Sequence, residues 1–182
     1  EPLDRGMGNT IGNALRRVML SSLTGTAVTM VKIHGVNHEF SSVPNIVEDV
    51  LDIICNVKGI IFKYDGEGPF KLSLSVKGSK NVVAGDIECS GDVSIINKSH
   101  HIAEFSEKGR FDMDLVIDKG IGYQAAISEK LIYDEVEFIS VDASFSPVIS
   151  VNYDVESVRV GNELDHDKLL MDVVVNGSVT PE

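Results

Sequence analysis

The sequence predicts an α+β fold, and three observations carry that expectation. An amphipathic helix stands near the start, a second helical stripe follows it, and short alternating apolar runs between Gly-rich turns fill most of the remainder. Hydrophobic residues make up 43% of the 182-residue chain and charged residues 24%, the balance of a chain that packs a core.

The first helix is read from Gly6-Met7-Gly8-Asn9-Thr10-Ile11-Gly12-Asn13-Ala14-Leu15-Arg16-Arg17-Val18-Met19-Leu20-Ser21-Ser22. Asn9 and Thr10 are short polar residues able to accept a bond from the first free backbone N–H groups, and Ile11, Ala14, Leu15, Val18 and Met19 then recur at helical spacing. Asn13, Arg17 and Leu20 fall on the other side, where a guanidinium beside an apolar neighbour suits protein contact. The plainer alternative is a core helix with solvated arginines. The glycines fit no nucleotide site. A dinucleotide fingerprint needs two residues between its second and third Gly after a strand, whereas three intervene here and residues 1–5 do not read as a strand. A phosphate loop needs Lys and Ser or Thr after its last Gly, and Gly12 is followed by Asn13 and Ala14. Gly inside a helix costs about 1 kcal/mol relative to Ala, so Gly12 is read as a packing glycine where another backbone comes close.

Residues 27–33 alternate, turn at His34-Gly35-Val36-Asn37 and return through His38-Glu39-Phe40 as an expected hairpin. The second helix is expected to start at Pro44, with Val47, Val50, Leu51, Ile54 and Val57 inward, Glu48, Asp49 and Asp52 toward water, and Lys58-Gly59 at its end. Turns at Asp65-Gly66, Gly78-Ser79, Ser90-Gly91 and Gly120-Ile121-Gly122 then cut the chain into strands. Two of these carry the stripes Phe70, Leu72, Leu74, Val76 and Phe111, Met113, Leu115, Ile117, which predict a twisted antiparallel sheet. Residues 147–155, 158–160 and 169–175 read as closing strands. Thr180-Pro181-Glu182 is a helix-start signature, and with the abrupt opening at Glu1 it leads us to expect a core trimmed at both ends.

A formal charge of −12 leaves little basic surface for phosphates, which argues against direct nucleic-acid binding. Cys55 and Cys89 have neither metal nor disulfide-framework spacing, and no apolar run approaches the roughly 20 residues of a spanning helix, so a cytoplasmic chain with no membrane association is expected. Candidate chemical groups are few. His34, His38 and Glu39 fall short of a metal ligand set, and His100 and His101 point to opposite strand faces. Asp112 and Asp114 share one strand face, as a half-buried strand requires without chemistry. Asp165-His166-Asp167 reads as a polar loop, and no G-x-S-x-G accompanies the serines.

The stretch G-x-G-x-x-x-G-N-A-L-R-R-x-x-L-S-S resembles the N-terminal assembly domain of the bacterial RNA polymerase α subunit. The likeness continues through Glu48-Asp49, Lys58-Gly59, Gly91-Asp92-Val93, Gly120-Ile121-Gly122-Tyr123, Val141-Asp142-Ala143, Ser146-Pro147-Val148, Tyr153-Asp154-Val155-Glu156, Arg159-Val160, Asp167-Lys168-Leu169 and Asn176-Gly177. It implies two lobes: an α+β dimerisation lobe from both chain ends, residues 1–24 and 147–182, and an inserted, mainly antiparallel β lobe with one helix, residues 25–146. It implies a homodimer that takes the β and then the β′ subunit, weakened or lost if the ends are trimmed. Met7, Ile11, Ala14 and Val18 are implied in dimerisation, Arg17 and Leu20 in β contact, and Lys58, Val141 and Lys168 in β′ contact. Each has a plainer reading; Lys58, for one, could simply neutralise a helix C-terminus. By the same resemblance the chain is an enzyme only as a subunit of DNA-directed RNA polymerase, a nucleotidyltransferase. It would carry no catalytic residue, cofactor or metal of its own. The rival readings are a stand-alone dimeric β-rich ligand-binding protein, and a small hydrolase using Asp112 and Asp114 or the Asp165-His166-Asp167 cluster.

Overall fold

Alternating apolar residues dominate the chain, and strands outnumber helices accordingly. The computed structural model describes residues 2–36, 38–78, 81–89, 91–126, 138–160 and 163–180. In chain order these form β1 (Leu3–Asp4), α1 (Met7–Ser21), β2 (Thr24–Ile33), α2 (Val50–Lys58), β3 (Phe62–Tyr64), β4 (Phe70–Gly78) and β5 (Asn81–Val83). After a 3-10 turn at Ala84–Asp86 come β6 (Ile87–Glu88), β7 (Val93–Ile95), β8 (His101–Glu104), β9 (Gly109–Ile121), β10 (Tyr123–Gln124), β11 (Ile139–Ser140), β12 (Ala143–Ser144), β13 (Val148–Val160) and β14 (Glu163–Val175). Strands with two α-helices make this an α+β chain, as its patterning predicts.

The two apolar stripes read from the sequence meet side by side. β4 and β9 pair antiparallel with Phe70 opposite Ile117, Leu72 opposite Leu115, Leu74 opposite Met113 and Val76 opposite Phe111. This register puts every large side chain of both stripes on one face, and a one-residue slip would turn them all to the other. The sheet is completed in the order β11-β2-β9-β4-β6. α2 lays Val50, Ile53, Ile54 and Val57 into the same apolar core, together with Phe62, Ile102 and Phe111. Burying each such side chain contributes roughly 1.5–3 kcal/mol. A separate three-stranded sheet has the order β1-β14-β13, and α1 packs on β13 and β14. Among the described residues no helix is long and apolar enough to cross a membrane.

Several expectations are corrected by this arrangement. Residues 27–33 do not form a hairpin with 38–40: β2 is ten residues long and pairs instead with β9 and β11, while 38–41 close a turn through the Ser41 N–H to His38 C=O bond of 3.2 Å. α2 starts at Val50 rather than Pro44, because the Asp49 carboxylate caps the Asp52 N–H at 2.9 Å and Asn45 holds a φ of 62° that no continuing helix permits. Val47 is consequently 64% exposed rather than packed inward. Residues 3–4 are a short strand, pairing Leu3 with Asp167 and Asp4 with His166, and so 165–167 lie within β14 rather than in a loop. The three expected closing strands are two long ones, joined in an antiparallel ladder. The expected helix start at 180–182 falls largely outside the described residues.

Candidate functional site

α1 is held on its own sheet by an unusually bare face. Gly8 and Gly12 are its buried residues, and neither leaves room for a side chain. A Cβ on Gly8 would lie 2.6 Å from Val155 Cγ1, and one on Gly12 2.6 Å from Tyr153 Cδ2 and 2.9 Å from Leu169 Cδ1. The missing side chains let the helix backbone approach the sheet closely. Asn9 and Thr10 do not cap the helix, contrary to the sequence reading. Gly6 occupies the cap position with φ 82° and no side-chain cap, and the carboxylate of Asp167 reaches in from β14, accepting the Gly6 N–H at 2.8 Å and the Gly8 N–H at 3.1 Å.

The two neighbouring arginines divide their duties. Arg16 turns toward the sheet, its Nε donating to the Val151 carbonyl at 3.0 Å. Arg17 is exposed, and among the described residues its guanidinium makes no hydrogen bond or ion pair. Leu20 beside it is half-buried, and its carbonyl accepts from Ser146 Oγ at 3.4 Å. Along the open side Met7 is 46% exposed and Val18 53%, with Ala14 exposed and Ile11 half-buried. The apolar stripe thus lies largely in the open, unlike the plainer alternative of a core helix, because the glycine row takes the place against the sheet. Leu15, also assigned to that stripe, is exposed too.

The other implied contact residues sit elsewhere. Lys58, at the end of α2, donates to both oxygens of Asp142 at 2.7 Å, and the Tyr123 hydroxyl reaches the same carboxylate at 3.4 Å. The Lys58 ammonium, outweighing a small burial cost, holds the Asp142 carboxyl below its ordinary range. Val141 is buried, and its N–H donates to the Thr29 carbonyl at 2.8 Å. Lys168 pairs with Glu156 across β13 and β14 at 3.3 Å.

The titratable clusters have structural partners. On the outer face of the β4–β9 ladder Ser73 Oγ donates to Asp114 at 2.9 Å and Ser75 Oγ to Asp112 at 2.7 Å, with Arg110 on Asp112 at 2.6 Å and Lys71 and His34 on Asp114. Burial opposes ionisation of both carboxyls. These hydrogen bonds and cations outweigh it and hold both below their ordinary values. A carboxyl so lowered is ionised at neutral pH and has no proton to give as a general acid. His38 bonds Ser41 Oγ, and His100 Nε2 lies 2.9 Å from the Asn56 carbonyl. His101 Nε2 lies 2.7 Å from Glu48, so the adjacent histidines have separate partners. Glu48, expected to face water, also accepts the Glu104 N–H at 2.8 Å. Burial works against its charge, but the Glu104 amide and His101 prevail and lower its pKa. Among the described residues no three His, Cys, Asp or Glu side chains converge as a metal site.

Sequence reading missed Asp167 as the cap of α1. A carboxylate two residues from another in a polar stretch carries no local sign of a partner some 160 positions away. The signal that was available is negative: α1 has no acid in its first turn, leaving its N–H groups in need of one.

The family model for the RNA polymerase Rpb3/RpoA insert domain matches residues 31–146, well over half of the chain. The match takes in the five-stranded sheet, except for residues 24–30 of β2, together with α2 and most of their common core. On that match, and in keeping with the motifs that run from the first helix to β14, the chain belongs to the RNA polymerase Rpb3/RpoA insert-domain family as an RNA polymerase α-type N-terminal domain.

Proposed function

We propose that the chain is the assembly scaffold of a bacterial DNA-directed RNA polymerase, working in the cytoplasm, homodimerising and docking the β and β′ subunits. It supplies no catalytic group, cofactor or metal to the nucleotidyltransferase reaction. With a net charge of −12 it leaves nucleic acid to other parts of the enzyme. Residues 1–24 and 147–182 form the dimerising lobe and residues 25–146 the inserted lobe. Supporting this division, β1, β13 and β14 share one sheet beneath α1, while α2 and the five-stranded sheet share one apolar core.

The observation that carries the reading is the division of the arginines: Arg16 is engaged with Val151, and Arg17 is exposed and, among the described residues, without a side-chain partner, on a helix with an open apolar flank. Met7, Ile11, Ala14 and Val18 pack against the second copy, and Arg17 and Leu20 meet β. A twofold dimer displays each patch twice, so one copy serves β while the other serves β′. Lys58 with Asp142, and Lys168, face β′, and Val141, itself buried and bonded to Thr29, supports that face as the chain neighbour of Asp142.

The test is co-expression of β with the wild-type chain or with Arg17→Ala. Removing an arginine from the centre of an interface often costs more than about 2 kcal/mol, equivalent to a loss of capture greater than roughly thirtyfold. The variant should unfold at the same urea concentration as wild type yet fail to retain β. Normal retention of β by Arg17→Ala would overturn the assignment.

A further inference from the structure

We infer that Asp167 is a positioning residue for partner capture: from β14 it fixes the start of α1 and thereby the direction in which Arg17 points. The inference rests on the docking role proposed above for Arg17. Among the described residues Asp167 is the one buried charged side chain, 8% exposed. A buried carboxylate needs strong donors, and this one takes the Gly6 and Gly8 N–H groups on the single oxygen Oδ2, at 2.8 and 3.1 Å. It therefore performs from another strand what a cap residue ordinarily performs from within the helix, and places a negative charge at the positive end of the helix dipole.

Three anchors along α1 define its rotation about its own axis. Asp167 holds the start, the Arg16–Val151 bond holds the middle, and Ser146 Oγ reaches the Leu20 carbonyl at the end. Successive residues on a helix are about 100° apart, so with the exposed Arg16 tethered to β13 at Val151, Arg17 points about a quarter-turn further round, away from that bond. The fit beneath Gly8 is just as restrictive: a Cβ there would meet Val155 at 2.6 Å and Asp167 Oδ2 at 3.1 Å. Asp167 is also fixed on both sides, lying opposite Leu3 of β1 and Ser157 of β13. The anchor is as rigid as the sheet.

The experiment compares Asp167→Ala and Asp167→Asn in the full-length chain, by amide hydrogen exchange and by capture of co-expressed β. Loss of a cap typically corresponds to about a fivefold change in an opening equilibrium. Asp167→Ala should therefore raise exchange in the first two turns of α1 about fivefold, leave α2 and the five-stranded sheet unchanged, and weaken capture of β. Asp167→Asn keeps one acceptor oxygen for both N–H groups and should recover most of the protection and capture, a rescue that general destabilisation would not produce. Unchanged exchange in α1 with Asp167→Ala, or failure of Asp167→Asn to rescue, overturns the inference. If Asp167→Ala loosens α1 while neither it nor Arg17→Ala affects capture of β, the anchor stands as structure. The docking role, and with it the positioning role, then falls.

Discussion

Glycine is the residue on which this molecule's close contacts depend, and each important one is used for the atom it lacks. Gly8 and Gly12 let α1 settle on β13 and β14, while Gly25 and Gly120, opposite each other in the β2–β9 ladder, both lie against Phe145. These positions are not equally tolerant. A Cβ on Gly12 would meet the Tyr153 ring and a Leu169 methyl, side-chain atoms able to shift, and the better helix propensity of Ala returns about 1 kcal/mol. A Cβ on Gly25 would lie 1.8 Å from the Phe145 carbonyl oxygen, which no rotamer change relieves. Gly25→Ala should therefore destabilise the chain beyond the roughly 1–3 kcal/mol of ordinary overpacking, measured by urea unfolding. A variant within about 1 kcal/mol of wild type would show that the approach of Phe145 to β2 is soft.

α2 owes its place to its two ends as much as to its apolar face. At the start, Asp49 caps the helix and Glu48 ties it to β8 through the Glu104 N–H and His101; at the end Lys58 grips Asp142. The Lys58–Asp142 pair has its two side chains 35% and 39% exposed, so its contribution to stability is small, under about 1 kcal/mol. Glu48 is more enclosed, and its lowered pKa has a definite consequence for pH dependence. The folded chain holds the carboxylate more strongly than the unfolded chain does. This contribution is complete above the ordinary carboxyl value of about 4.5 and is lost as pH falls through the lower folded value. Glu48→Gln should be less stable than wild type near neutral pH, with the gap closing below about pH 4. A pH-independent gap would show that the packing of Glu48, and not its charge, fastens the helix.

The described residues leave an apolar stripe on α1 largely open. Met7, Ile11, Ala14 and Val18 run along one flank of α1 beside its glycine row, Ile11 half-buried and the others exposed, and a second copy related by twofold symmetry would bury the same stripe twice. Sedimentation of the wild-type chain over a range of concentrations should reveal self-association. The double variant Ile11→Glu, Val18→Glu should remain monomeric throughout, because a carboxylate buried at a twofold interface meets its own image. Equal association of the two chains would move the dimer contact away from α1.

Local chemistry made much of this legible. Period-two alternation at 70–76 and 111–117 predicted strands whose stripes turn out to be cross-strand neighbours, since alternation records which face is buried. The glycines and arginines of α1 were visible as a motif, and Gly12 as a close-packing position. Tertiary structure decided how those parts are used. It gave β2 a distant partner in β9 in place of a nearby hairpin, and it drew 165–167 into a strand. It also moved the cap of α1 from Asn9 and Thr10, where it was expected, to Asp167 on β14. The reason is common to all three: a periodic pattern specifies that a face will be covered, whereas the covering group is chosen by shape and free hydrogen-bond donors. In Asp167 that choice spans 161 residues to Gly6, and nothing in the neighbourhood of either residue foretells it.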